Sequence, residues 1–260
     1  VLDSGVDNEH FSLDDFSDNN FDNENQPDDL SDPKWLSGCD ATSWNSQECN
    51  DGEFDPDDGN GHGTHVAGIA LGTGDDRRIN QGYAPGSYLV DVKVMTDSGG
   101  SAGGDEGPII QGLQWVLQNV DTDWGNNDSS EGIDIMTMSF GSGSSPVGGN
   151  DQGDDGNNSA ARLVNNCADA GILPIAAIGN DGTNRVTSVG AADSAITVGA
   201  IDDQNTIQRN DDLIADYSNS GPRVDDNDGN KWDELKPDVV APGSGITSAE
   251  HAASTSTIPG

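Results

Sequence analysis

Gly61-His62-Gly63-Thr64-His65-Val66-Ala67-Gly68 is the stretch that decides what kind of molecule this is. Gly61 and Gly63 leave backbone room around His62, and Thr64 can cap a helix. His65-Val66-Ala67-Gly68-Ile69-Ala70 then begins a helix of small apolar residues. An imidazole at a helix start, flanked by glycines, is open enough to exchange protons. A lone histidine in a Gly-rich turn is more often structural, so the stretch needs support from elsewhere. His62 and His65 also have the spacing of a metal pair, but the Glu of the HExxH zinc motif is missing. His65 reads as a packed helix residue supporting the first turn.

Outward from that stretch, Val1-Leu2-Asp3-Ser4-Gly5-Val6-Asp7 places a carboxylate just after a short apolar run. That is the carboxyl end of a strand, the edge of an open α/β sheet where ligand and catalytic groups gather. By itself an Asp there is more often a turn former or helix cap. Further along, short apolar runs alternate with helix-like stretches, the pattern of a parallel sheet covered by helices. Strands are predicted at 88–94, 133–138, 172–177 and 195–200. Helices are predicted at 106–120 and at about 157–170. The first has Ile109, Leu113, Val116, Leu117 and Val120 on one face, and the second stops at Gly171. The expected fold is α/β: a doubly wound, mostly parallel sheet flanked by helices, in one domain over 1–260. Polar inserts dense in Asp, Asn and Gly interrupt it at about 14–58 and 121–132, and both are expected to be surface loops.

The Asp3 and His62 blocks together resemble the Asp and His blocks of the subtilisin family of serine peptidases. Over the eight positions of the His62 block the match is specific. The Asp-His-Ser chain order and the asparagine oxyanion donor are that family's own pattern, carried here residue by residue. The resemblance implies that His62 is the general base and that Asp3 orients its imidazole and stabilises the imidazolium. Pro174-Ile175-Ala176-Ala177-Ile178-Gly179-Asn180-Asp181-Gly182 is similar to the family's oxyanion segment, which makes Asn180 the oxyanion donor. Thr137-Met138-Ser139-Phe140-Gly141 is similar to its substrate strand, giving Ser139, Phe140 and Gly141 a substrate-binding role. Tyr217-Ser218-Asn219-Ser220-Gly221-Pro222 and Lys236-Pro237-Asp238-Val239-Val240-Ala241-Pro242-Gly243 are similar to the blocks that precede the family's serine helix. No Gly-Thr-Ser-Met-Ala-like block occurs. Ser254 and Ser256 lie in an Ala-Ser-Thr-Ser-Thr context that does not fit a nucleophile. The chain opens inside a strand-like run, so the expectation is a catalytic domain incomplete at both ends, its serine downstream of Gly260. The implied activity is endopeptidase cleavage through an acyl-enzyme. The competing possibility is an inactive homologue that binds peptides, or an acidic calcium-dependent exoprotein.

Charge adds a second constraint. Against 47 Asp and Glu stand 10 Lys and Arg, a formal net charge of -37. Nucleic-acid phosphates and anionic membrane surfaces would be repelled. The acids are spread over the whole chain, so self-repulsion is strong in dilute buffer, with a screening length of about 10 Å at 0.1 M salt and about 3 Å at 1 M. A secreted monomer acting on proteins or peptides in a high-salt environment is expected. No run of about 18 apolar residues occurs that could span a membrane. Calcium is the one cofactor to weigh, and it is structural. Asp51, Asp55, Asp57 and Asp58 make an oxygen-rich lead-in to His62, although clustered carboxylates are expected by chance in so acidic a chain. Cys39 and Cys49 lie ten residues apart in a polar segment where a disulfide could close a short loop. Cys167 is expected to pack as a small apolar group on its helix.

Overall fold

The computed structural model describes residues 1–13, 34–42, 49, 56–74, 79–96, 105–125, 132–141 and 153–251. The chain divides into two compact units, Val1–Ile133 with Thr247–Ile258, and Asp134–Ile246 with Pro259–Gly260.

In the first unit, β1 (Leu2–Asp3) and β2 (Trp35–Asp40) both pair in parallel with β3 (Leu89–Lys93), which lies between them. Register sets Leu2 against Val92 and Asp3 against Lys93. Helix α1 (His62–Leu71) packs its small residues inward. Ala67 and Leu71 join Val6, Leu13 and Leu89 in one buried cluster. Helix α2 (Glu106–Gln118) approaches the chain at and just after β3 closely through Gly112, where a Cβ would stand 2.4 Å from Val94 Cγ1. That contact rotates the helix from its predicted face. Gly112 and Trp115 are buried beside Ile109, Leu113 and Val116, while Leu117 is only half-buried. The indole of Trp124 packs 6.2 Å from that of Trp115 and donates to the Gly132 carbonyl at 3.0 Å, closing the base of the 121–132 insert.

One expectation is corrected here. The 14–58 insert is not loop throughout, because it contains β2. Trp35-Leu36-Ser37-Gly38-Cys39-Asp40 has neither alternation nor β-branched residues, so no strand signal rises from it. Pairing along β3 holds it in place, with Ser37, Gly38 and Cys39 buried. Cys39 is joined to Cys49 in a disulfide, Cα to Cα 4.7 Å.

In the second unit, β4 (Ile135–Met138), β5 (Leu173–Ala177) and β6 (Ile196–Asp202) pair in parallel in that order. At β6, β7 (Leu213–Ile214) adds antiparallel and β8 (Val239–Pro242) adds parallel. Helix α3 (Ser159–Asp169) lies against β5. Asn158 caps it by accepting from the Ala161 amide at 2.8 Å. Gly171, just past its end, takes the positive φ of 107° that the predicted stop requires. Cys167 is buried on its inner face as expected, and burial raises the thiol to about 11. The two units thus consist of mostly parallel strands flanked by helices, the expected α/β fold. None of the described helices is long and apolar enough to cross a membrane.

Candidate active site

Asp3 ends β1, and His62 is the first residue of α1. The imidazole Nδ1 donates to Asp3 Oδ1 at 2.6 Å, and the same oxygen accepts from the Ser4 amide at 2.8 Å. Asp3 is buried, whereas the His62 side chain is 40% exposed. One end of the ring is therefore fixed by a buried carboxylate, while the ring keeps access to solvent. The hydrogen bond to Asp3 lifts the imidazole above its ordinary 6.5. The charges of Asp3 and Asp58 add to this, and burial opposes it. With Nδ1 occupied as donor, Nε2 is the nitrogen left to take a proton from a nucleophile.

Two glycines make this approach possible. Gly63 lies so close to the turn after β1 that a Cβ on it would overlap the Gly5 carbonyl oxygen, 2.0 Å away. Gly5 itself sits at φ 101° against the carbonyls of Pro56 and Asp57. The glycines of the motif thus let β1 and α1 come into backbone contact, which is what brings Asp3 within reach of His62. Thr64 departs from its expected part. Gly61 stands at the N-cap position, and the Thr64 hydroxyl instead donates to Asp58 Oδ2 at 2.6 Å and accepts from the Asp7 amide at 2.9 Å.

The other predicted site residues belong to the second unit. Asn180 is exposed, two residues past Ile178 and just after Gly179, whose φ is 117°. Asn219, buried, clamps that loop. Its backbone amide donates to the Gly179 carbonyl at 2.9 Å, and its Oδ1 accepts from the Asp181 amide at 2.9 Å and the Thr183 amide at 3.2 Å. Thr187 joins this loop to the 139–141 segment: Gly141 packs directly onto the Thr187 side chain, and so does Gly179. Phe140 is buried and Ser139 half-buried. In the sequence Asn219 stands out only as part of a block, and Thr187 does not stand out at all. The available signal for the first is Gly-Asn at 179–180, since a left-handed glycine in a loop needs something to hold it.

Calcium fits the expected residues poorly. Both oxygens of Asp58 are committed to hydrogen bonds from protein donors. Asp57 is exposed and offers its carbonyl to Lys93 Nζ at 2.5 Å. Asp55 and Asp51 lie outside the described residues, as do Ser254 and Ser256. Among the described residues, carboxylates gather closely in two other places, Asp193 with Asp226 and Asp233, and Asp225 with Asp226 and Glu234. Protein cations already serve both. Arg223 Nη2 contacts all three of the first group, and Lys231 contacts Asp225 and Glu234.

The family model described as the subtilase family, peptidase S8, matches residues 1–259. This chain is a subtilase. Serine protease AprX of Bacillus subtilis is 36% identical over 197 residues, 75% of this chain and 40% of that protein. Subtilisin-like protease 6 of Trichophyton rubrum is 33% identical over 204 residues, 78% of this chain and 40% of that one. The chain therefore spans about 40% of the length of these relatives. Among solved structures, sphericase superposes with a TM-score of 0.69 at 26% identity, all of this chain covering 70% of that one. A cold-adapted subtilisin-like serine proteinase gives 0.61 at 26% identity, with 67% of its chain covered. The matched span includes both Asp3 and His62.

Proposed function

We propose that this subtilase is the Asp- and His-bearing part of a secreted serine endopeptidase that cleaves proteins or peptides through an acyl-enzyme. The observation that carries this proposal is the 2.6 Å bond between His62 Nδ1 and the buried Asp3. His62 takes the proton of a serine hydroxyl and returns it to the leaving amine, while Asp3 holds the tautomer and stabilises the imidazolium. Asn180 donates to the oxyanion. Ser139, Phe140 and Gly141 run beside the substrate backbone. The serine is supplied by polypeptide following Gly260. Sequencing the next forty or so codons and labelling the complete protein with a fluorophosphonate probe test this together. One labelled serine in a Gly-Thr-Ser-Met-Ala-like block is the expected result. No such block and no labelling would leave a peptide-binding homologue instead.

A molar-salt habitat is the second part of the proposal, supported by the formal charge of -37. The melting temperature should climb as NaCl or KCl is raised from low to molar concentration, because screening removes self-repulsion. Running the same melts with a chelator separates salt from structural calcium. Equal or greater stability at low salt without calcium would refute adaptation to salt.

A further inference from the structure

The Asp58 carboxylate is 5% exposed and accepts five hydrogen bonds, none of which the sequence foretells. Its Oδ1 accepts from the Ser4 hydroxyl at 2.9 Å, the Asn60 amide at 3.0 Å and the Gly61 amide at 2.8 Å. Its Oδ2 accepts from the Thr64 amide at 3.0 Å and the Thr64 hydroxyl at 2.6 Å. The Ser4 hydroxyl, in turn, accepts from the Gly63 amide at 3.0 Å. One carboxylate thus reaches the residue after Asp3 and, directly or through Ser4, the residues on both sides of His62. We infer that Asp58 is the positioning residue of the His62–Asp3 pair, clamping the turn after β1 to the first turn of α1.

The physical case has two parts. First, the opening turn of a helix leaves amides without intrahelical partners. Here Asp58 and Ser4 take those of Thr64 and Gly63, so the position of the helix start depends on side chains tied to β1. The backbone contact at Gly63 has little tolerance, and the clamp holds it closed. Second, His62 sits at the positive end of a helix, which disfavours an imidazolium there. A buried anion at the same end offsets that field. Titratable groups near this pair include Asp3 on β1, Lys93 on β3 in register with Asp3, the Val1 amino group, whose charge interacts with those of Asp91 and Asp3, and His251, whose ring lies against Gly61. The Asp58 charge adds to that of Asp3 in favouring the imidazolium.

The role in catalysis rests on the peptidase proposal, but the test does not. Nitrogen-detected NMR of the full chain follows the His62 titration and the solvent exchange of its Nδ1 proton. Asp58→Asn should lower the titration midpoint by about half a unit to one unit and speed Nδ1–H exchange severalfold. Ser4→Ala keeps the charge and cuts one strut. It should speed the exchange with a much smaller change in midpoint, and it decides the matter if Asp58→Asn does not fold. If melting temperature falls while both His62 readouts stay at their wild-type values in these variants, Asp58 is only a helix cap and the inference is wrong. A shifted His62 in a complete protein that cleaves no peptide would refute the peptidase proposal and leave the clamp standing.

Discussion

On the proposed peptidase function, replacing His62 by Ala in the complete protein is expected to lower kcat by about 10⁶-fold, and Asp3→Asn by about 10⁴-fold, on the scale set by the serine-protease triads themselves rather than by this chain. The first variant removes the group placed to accept the serine proton. The second leaves the geometry but makes the residue opposite Nδ1 unable to stabilise a positive ring. Because both losses arise in the transition state, KM should change little. Steady-state hydrolysis of a chromogenic peptide by each purified variant measures this. Activity within tenfold of wild type for His62→Ala would remove His62 from its assigned role. The pH profile provides a second check. The base works as the neutral imidazole, and the bond to Asp3 raises its pKa above 6.5. Activity should therefore fall with acid through a midpoint above 6.5. The same raised pKa means the charged pair favours the fold fully below 6.5, and that contribution is lost as pH rises through the folded value.

Arg223→Met is expected to destabilise the second unit by about 3–5 kcal/mol. The guanidinium side chain is fully buried and meets three carboxylates through Nη2: Asp193 at 2.7 Å, Asp233 at 2.9 Å and Asp226 at 3.4 Å. Its Nη1 and Nε donate to the carbonyls of Asp155 at 2.5 Å and Asp233 at 3.1 Å. A methionine fills similar space but leaves the carboxylates facing one another and two carbonyls without donors. Burial and the neighbouring acids already raise the Asp193 carboxyl, with Arg223 pulling it down. Without the arginine that group gains a proton more readily. The loss should accordingly be largest near neutral pH and shrink as the solution is acidified into the carboxylate range. Denaturant melts at fixed molar salt give the number. A change under about 1 kcal/mol at neutral pH would show that the carboxylates manage without the arginine.

How much of this is legible in the sequence depends on the kind of signal. Strands β3, β4, β5 and β6 fall within two residues of their predicted spans, because each lies in a short run rich in apolar residues that stands out from its polar, Gly-rich flanks. Strand β2 has no such run. Its Ser37, Gly38 and Asp40 read as loop, and only pairing on β3 makes it a strand. Helix α2 is readable, but its buried face turns on Gly112, and the close approach of a missing side chain does not register in apolar periodicity. The Asp3 and His62 blocks are readable because each motif is local and specific. In the sequence Asp58 draws notice only as a calcium candidate, and its hydrogen bonds to the His62 turn do not show. In a chain with 47 acids a carboxylate looks like any other until its donors are known, and those come from residues at 4, 60, 61 and 64. Asn219 escapes for the same reason, since its partners lie in a loop about 40 positions earlier.

Few of this chain's lysines face the solvent. Of the four, Lys34, Lys93 and Lys236 are buried, each tied to a backbone carbonyl: Pro85 and Ser87, Asp57, and Ala195 respectively. Lys231 alone is open, at 61% exposure, and it leans on Asp225 and Glu234. To an amine-directed reagent these 260 residues, folded, therefore present a single accessible lysine. A label, a cross-linker or a solid support attached through lysine would go to that one corner of the second unit and leave the Asp3–His62 unit unmarked. Attachment at the other three would mark molecules that had come apart.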